Sequence, residues 1–197
     1  MKRFIVVLLF CFLCSCGSVG KTLKHGYLPG GDYQYYSPIK KSDLKGRSYR
    51  LVIFDDRSEL SQVSCSDIIL DRNTELEGSK GLNFFSAYCR AMIEANNGII
   101  NQYAQNTIHF KLKGLSAQYY GFGFVKVHGL VEFDVSFNEI QKTYCSDMAD
   151  GDEDAPLKAT SLTTRKGALR KMVSGSTRRA LEMFIHDLSM SSFGGTQ

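Results

Sequence analysis

The 197-residue chain is short of long apolar stretches: its apolar run, Phe4 to Leu13, is well below the roughly 20 residues that a membrane-spanning helix needs. It is also short of net charge. The formal balance is +4, falling to about +2 if Lys2 and Arg3 are removed, which points neither to nucleic acid nor to a polyanionic substrate. Histidine is scarce: His25, His109, His128 and His186 are the four, and none lies in a nucleophile motif. Two segments partly match ligand loops and fail the rest of the pattern. Gly17-Ser18-Val19-Gly20-Lys21-Thr22 ends like a phosphate-binding loop, but the glycine required five positions before Gly20 is Ser15. Asp150, Asp152 and Asp154 open like a calcium loop, but the sixth position is Ala155 and the twelfth is Ser161. No catalytic residue, metal site or cofactor is therefore assigned.

The N-terminus is the most informative stretch. Lys2 and Arg3 form a basic head, Phe4 to Leu13 is apolar, and the small residue Ser15 precedes Cys16. This is the layout of a secretory signal. Leu13-Cys14-Ser15-Cys16 also resembles the lipobox of bacterial lipoproteins. Only Cys16 has both a small residue before it and an aliphatic residue three back. The resemblance implies cleavage after residue 15, acylation of the Cys16 thiol and new amino group with palmitate among the acyl groups, and a membrane contact made through that lipid. An ordinary secretory cleavage near Gly17 and a retained anchor are the alternatives. Gly17 and Ser18 stand where the inner-membrane retention signal of such lipoproteins has aspartate. The resemblance thus implies the outer membrane, facing the periplasm.

Of six cysteines, Cys11 and Cys14 fall in the signal and Cys16 takes the lipid, leaving Cys65, Cys89 and Cys145. An exported chain meets an oxidising compartment, and three thiols allow one bridge and one odd cysteine. Cys65 and Cys145 lie in polar Ser/Asp surroundings, whereas Cys89 lies in an apolar helical stripe, so the expected bridge is Cys65–Cys145. Three reduced thiols, or a bridge using Cys89, remain open.

Residues 16–47 read as a lipidated tether punctuated by glycine and proline, and 48–190 as a single domain ending in a tail, 191–197. Ser48 to Phe54 predicts a strand with apolar residues on both faces, closed by a solvated turn at Asp55-Asp56-Arg57. Val63 to Leu70 is a weaker strand candidate. Leu82, Phe85, Cys89, Met92, Ile93 and Asn96 draw one stripe of a helix from Leu82 to Asn97, capped by Ser79 and stopped by Gly98. Thr107 to Gln118 alternates strictly until Gly114, where the parity switches as at a β-bulge. A turn follows at Gly121 and Gly123. The odd positions from Val125 to Phe137 are then apolar apart from Gly129, while Lys126, His128, Glu132, Asp134 and Ser136 lie between them. This predicts a long antiparallel hairpin with one buried and one wet face. Asp147 to Asp154 reads as an acidic loop, and the basic segment from Lys158 to Arg179 as a wet strand face and helix start. The final helix is placed at Thr177 to Ser189, with Ser174 or Ser176 as cap.

The expected fold is α+β: an antiparallel-dominated sheet with a long β-hairpin and two helices packed on one face. The lipobox, the helix, the spacing Ile108-x-Phe110-x-Leu112-x-x-Leu115-x-Ala117, the next strand and the last helix together resemble small Gram-negative envelope lipoproteins, YajG-like ones in particular. That resemblance implies a non-enzymatic outer-membrane lipoprotein. The leading expectation is a lipid-anchored, non-catalytic binding or assembly module with an envelope protein as a candidate partner. Its contact surface would be the open sheet face or the aromatic hairpin tip, Tyr119, Tyr120, Phe122 and Phe124. Packing of those four beneath the tether is the plainer alternative for the tip. A purely structural envelope protein and a periplasmic hydrolase are the other classes.

Overall fold

The computed structural model describes residues 42–57, 61–72, 76–138, 140–156 and 164–191. The signal, Cys16, most of the tether, and the tail beyond Ser191 lie outside the described residues. The element order is β1 (Ser48–Asp55), α1 (Gly78–Ala95), β2 (Ile99–Ile100), β3 (Thr107–Tyr120), β4 (Lys126–Phe137), β5 (Ile140–Ala149) and α2 (Arg165–Met190). The strands form one sheet in the order β2-β1-β3-β4-β5. The β3-β4-β5 meander is antiparallel, and β1 is parallel to both its neighbours. The fold is α+β with an open, antiparallel-dominated sheet.

Both helices cover one face of it. Period-two alternation delivers Phe110, Leu112, Val131, Phe133 and Val135 to that face. There they join Phe85, Tyr88 and Met92 of α1 and Leu181, Phe184 and Leu188 of α2 in one buried cluster. Phe110 sits at its centre, with ring centroids 5.9 Å from Phe85, 5.8 Å from Phe133 and 5.2 Å from Phe184. The hairpin register shifts between Leu112 and Gly114, so Lys113 is the bulged residue at the expected parity switch.

Several boundaries differ from expectation. α2 starts at Arg165 and not at Thr177; its N-cap is Thr164, whose hydroxyl accepts from Gly167 N at 3.1 Å. Ser174, Gly175, Ser176 and Thr177 cap nothing: they are buried in mid-helix. Their small size permits a close approach to the sheet. A Cβ on Gly129 of β4 would meet Met172 O of α2 at 2.2 Å, and Ser176 Oγ donates to Ser146 O at 2.8 Å. α1 runs Gly78–Ala95 without a side-chain cap, and Asn97 (φ 62), not Gly98, takes the left-handed turn after it. Asp147 belongs to β5, so the acidic loop begins at Asp150. The packed body also begins before Ser48, within the segment expected as tether: Leu44 is fully buried and its N–H donates to Asn96 O at 2.8 Å.

Asp55-Asp56-Arg57 is a clamp and not a solvated turn. Arg57 Nε and Nη2 each reach an Asp55 oxygen at 2.6 Å, while the same guanidinium donates to Leu76 O and Gly78 O at the start of α1. The guanidinium hydrogen bonds hold the Asp55 carboxyl below its usual range.

The expected strand at Val63 to Leu70 is absent. Residues 61–72 instead form a strap across the sheet face opposite the helices, with one isolated bridge, Gln62 to Ile69. Val63 and Ile68 bury Leu130 beneath them. Gln118 fastens the far end, accepting from Asp71 N at 2.7 Å and donating to Ile69 O at 2.9 Å. The hairpin's second face is therefore not uniformly wet: Ser116, Leu130 and Glu132 are all buried on it.

Candidate functional site

Three arrangements bear on function: the chemistry under the strap, the histidines, and the hairpin tip. Cys65 of the strap and Cys145 of β5 are joined by a disulfide, with Cα atoms 5.9 Å apart. Cys89 is a buried free thiol whose pKa burial pushes well up, leaving it a poor nucleophile. Beside the disulfide, Glu132 is 2% exposed and accepts from Ser64 N and from Lys113 Nζ at 3.1 Å. Burial opposes its charge, but those hydrogen bonds and the lysine prevail, and its pKa lies below the ordinary value. Sequence reasoning placed Glu132 on a wet face, because nothing local to it shows that residues 61–72 fold over it.

The strap also brings a serine, an aspartate and a histidine together. Ser66 Oγ donates to Asp147 Oδ2 at 2.7 Å, and His128 Nδ1 lies 2.7 Å from Asp147 Oδ1. The carboxylate is in the middle, so the imidazole does not face the hydroxyl it would have to deprotonate. The set acts as a fastening for the strap. His109 pairs with Ser136 and His128 with Gln118. Nine residues of β3 separate them, about 30 Å at the rise of a strand. His109 stacks on Phe54 at 6.5 Å, and His186 is exposed on α2. No cluster of three metal-ligating side chains occurs among the described residues. The carboxylates of the acidic loop are engaged locally: Asp150 accepts from Val127 N at 3.1 Å, Asp152 from Ala149 N at 3.0 Å, and Asp154 from Arg179 at 2.6 Å.

The tip presents a different kind of surface. Gly121 (φ 137) and Gly123 (φ 81) make the turn; a Cβ on Gly121 would meet Phe124 O at 2.3 Å. Phe122 is fully exposed and Phe124 is 92% exposed, followed by Val125 at 59%, Tyr120 at 50% and Tyr119 at 38%. Tyr119 leans under Arg165 at the start of α2, with the guanidinium carbon 5.2 Å from the ring centroid, and Tyr120 meets His128 edge-on at 6.1 Å. The two tyrosines are thus braced from opposite faces, while the two phenylalanines project beyond them.

In comparison with known proteins, the sequence matches no protein-family model and no curated protein. Among solved structures, the chain is similar to a minor lipoprotein from Acinetobacter baumannii, at 7% identity over 73% of this chain and 92% of that one, TM-score 0.40. It is similar to the rare lipoprotein B from Shewanella oneidensis at 13% identity, over 71% and 93% of the two chains, TM-score 0.33. A Xanthomonas campestris protein of DUF330 aligns at 6% identity over 79% and 93%, TM-score 0.39. Likeness at this level carries no functional assignment.

Proposed function

We propose that the chain is a lipid-anchored envelope protein, held through Cys16 in the outer membrane facing the periplasm, and that it serves as a non-catalytic binding or assembly module with the hairpin tip as its contact surface. The observation that carries this reading is the exposure of Phe122 and Phe124 at the end of an otherwise well-packed hairpin. Two such rings in water are unfavourable in a free monomer by the same hydrophobic term that builds the core. The Cys65–Cys145 bridge supports export, since structural disulfides belong to oxidising compartments. The fastening roles of Asp147 and His128, and the inert Cys89, support a module without chemistry of its own.

The test is a photo-crosslinking amino acid at position 122 in intact envelopes, with Met183 on the exposed side of α2 as control position. Adducts to an envelope component, lipid or protein, are expected from 122 and not from 183. Absence of adducts at 122 would overturn the tip as contact surface.

A further inference from the structure

Resting on that reading, we infer that the hairpin tip inserts into the interface of a bilayer containing anionic lipid, so that the molecule grips the membrane by its lipid and by its tip. The depth order of the side chains is the argument. Outermost are Phe122 and Phe124, almost wholly exposed on a convex turn, with Val125 beside them. Next is Tyr120, half-exposed, whose ring combines an apolar body with a polar hydroxyl. Level with Tyr120, as its partner across the hairpin, is Lys126, and one residue pair further back Arg165 lies over Tyr119; both cations are exposed. Apolar side chains first, then amphipathic aromatics together with cations, is the sequence of environments met on going outward from acyl chains into the headgroups. Residues 119–126 contain no acid. In the acidic loop the charge of Asp154 is offset by Arg179, while Asp150 and Asp152 are held by Val127 N and Ala149 N. A convex pair of rings without a concave rim suits a fluid medium better than a preformed pocket.

Chain length permits both grips at once. β1 pairs with the beginning of β3, so the N-terminal end of the domain and the tip are at opposite ends of that strand. Its 14 residues cover about 45 Å. Residues 17–41, between Cys16 and Ser42, can extend to about 85 Å at most.

The chain contains no tryptophan, so Phe122→Trp places a single reporter at the tip. The full-length lipidated variant would be reconstituted in vesicles of phosphatidylcholine and phosphatidylglycerol, with Phe54→Trp, on the sheet face far from the tip, as the comparison. Co-flotation with the vesicles reads the anchor independently. The expected result is a blue-shifted emission for Phe122→Trp that loses at least half its intensity to lipids brominated on their acyl chains, with Phe54→Trp unshifted and unquenched. A floating protein whose Phe122→Trp emission stays water-like overturns tip insertion and leaves anchoring intact. Equal quenching at both positions overturns it too, because the sheet would then lie flat on the bilayer. Failure to float removes both the anchor and the insertion.

Discussion

Lys113, the residue added by the β-bulge, and Glu132, buried beneath the strap, form an ion pair with Nζ 3.1 Å from Oε1. The bulge therefore does more than switch the parity of β3: it supplies the countercharge for a carboxylate that the strap has taken out of water. Lys113→Met would leave that carboxylate with Ser64 alone and no countercharge, and should cost about 3 kcal/mol of stability in urea unfolding. Asp134, on the same face but more than a third exposed, should tolerate Asn within about 0.5 kcal/mol. Equal costs would mean that Glu132 is not shielded as the strap implies.

The same carboxylate sets a direction with pH. Its folded pKa is depressed, so it contributes stability that is fully present above its unfolded value, about 4.3, and lost as pH falls through the lower folded value. Asp187 acts in the same sense: burial opposes its charge, but bonds from Lys142 and Tyr144, each 2.8 Å, hold its pKa down. Urea midpoints measured from neutral pH down through the carboxylate range should fall, and Glu132→Gln should flatten part of that fall. An unchanged slope in Glu132→Gln would contradict the assignment.

Opening the Cys65–Cys145 bridge should destabilise the fold by about 4 kcal/mol in the chain-entropy model, since it closes a long loop; the two residues are 80 apart in sequence. Non-reducing peptide mapping should show this pair linked and Cys89 free but unreactive until the chain unfolds. Alkylation of Cys65 in the folded, unreduced protein would contradict the pairing.

At the tip, Phe122→Ser with Phe124→Ser should leave stability within about 0.5 kcal/mol, because neither ring is packed. Phe133→Ala, in the middle of the aromatic cluster, should cost about 3–5 kcal/mol. Thermal unfolding of the two variants separates a surface kept for contact from a surface kept for packing.

How much of this was legible in advance depended on how local the determinant was. The β3–β4 hairpin, its bulge and its turn could be read because alternation, a parity switch and two glycines are all local signals. The first half of α2 could not. Ser174 to Thr177 carry cap-forming residues of low helix propensity, and their small size answers to tertiary neighbours: a Cβ on Gly175 would meet Pro156 and Met148, and Ser176 donates to Ser146 O. β5 is not read from the sequence: Ile140, Tyr144 and Met148 share a face, but Lys142 and Ser146 interrupt the pattern, and both positions are met by α2, the Lys142 ammonium by Asp187 and the Ser146 backbone carbonyl by Ser176. The strap reads as a strand because Val63, Ile68 and Leu70 are apolar for a tertiary reason, the covering of Leu130. Glu132 was misplaced for the same reason seen from beneath. The tip aromatics were visible as residues, but their exposure was not.

Anchoring of the protein to the envelope by lipid is read directly from the mass of the N-terminal peptide of the mature chain. The expected peptide begins at Cys16 and carries acyl groups, and Cys16→Ala is expected to accumulate as an unprocessed precursor that takes up no labelled palmitate. A mature chain beginning at Gly17 or beyond, or one retaining residues 1–15 with an unmodified Cys16, would contradict it.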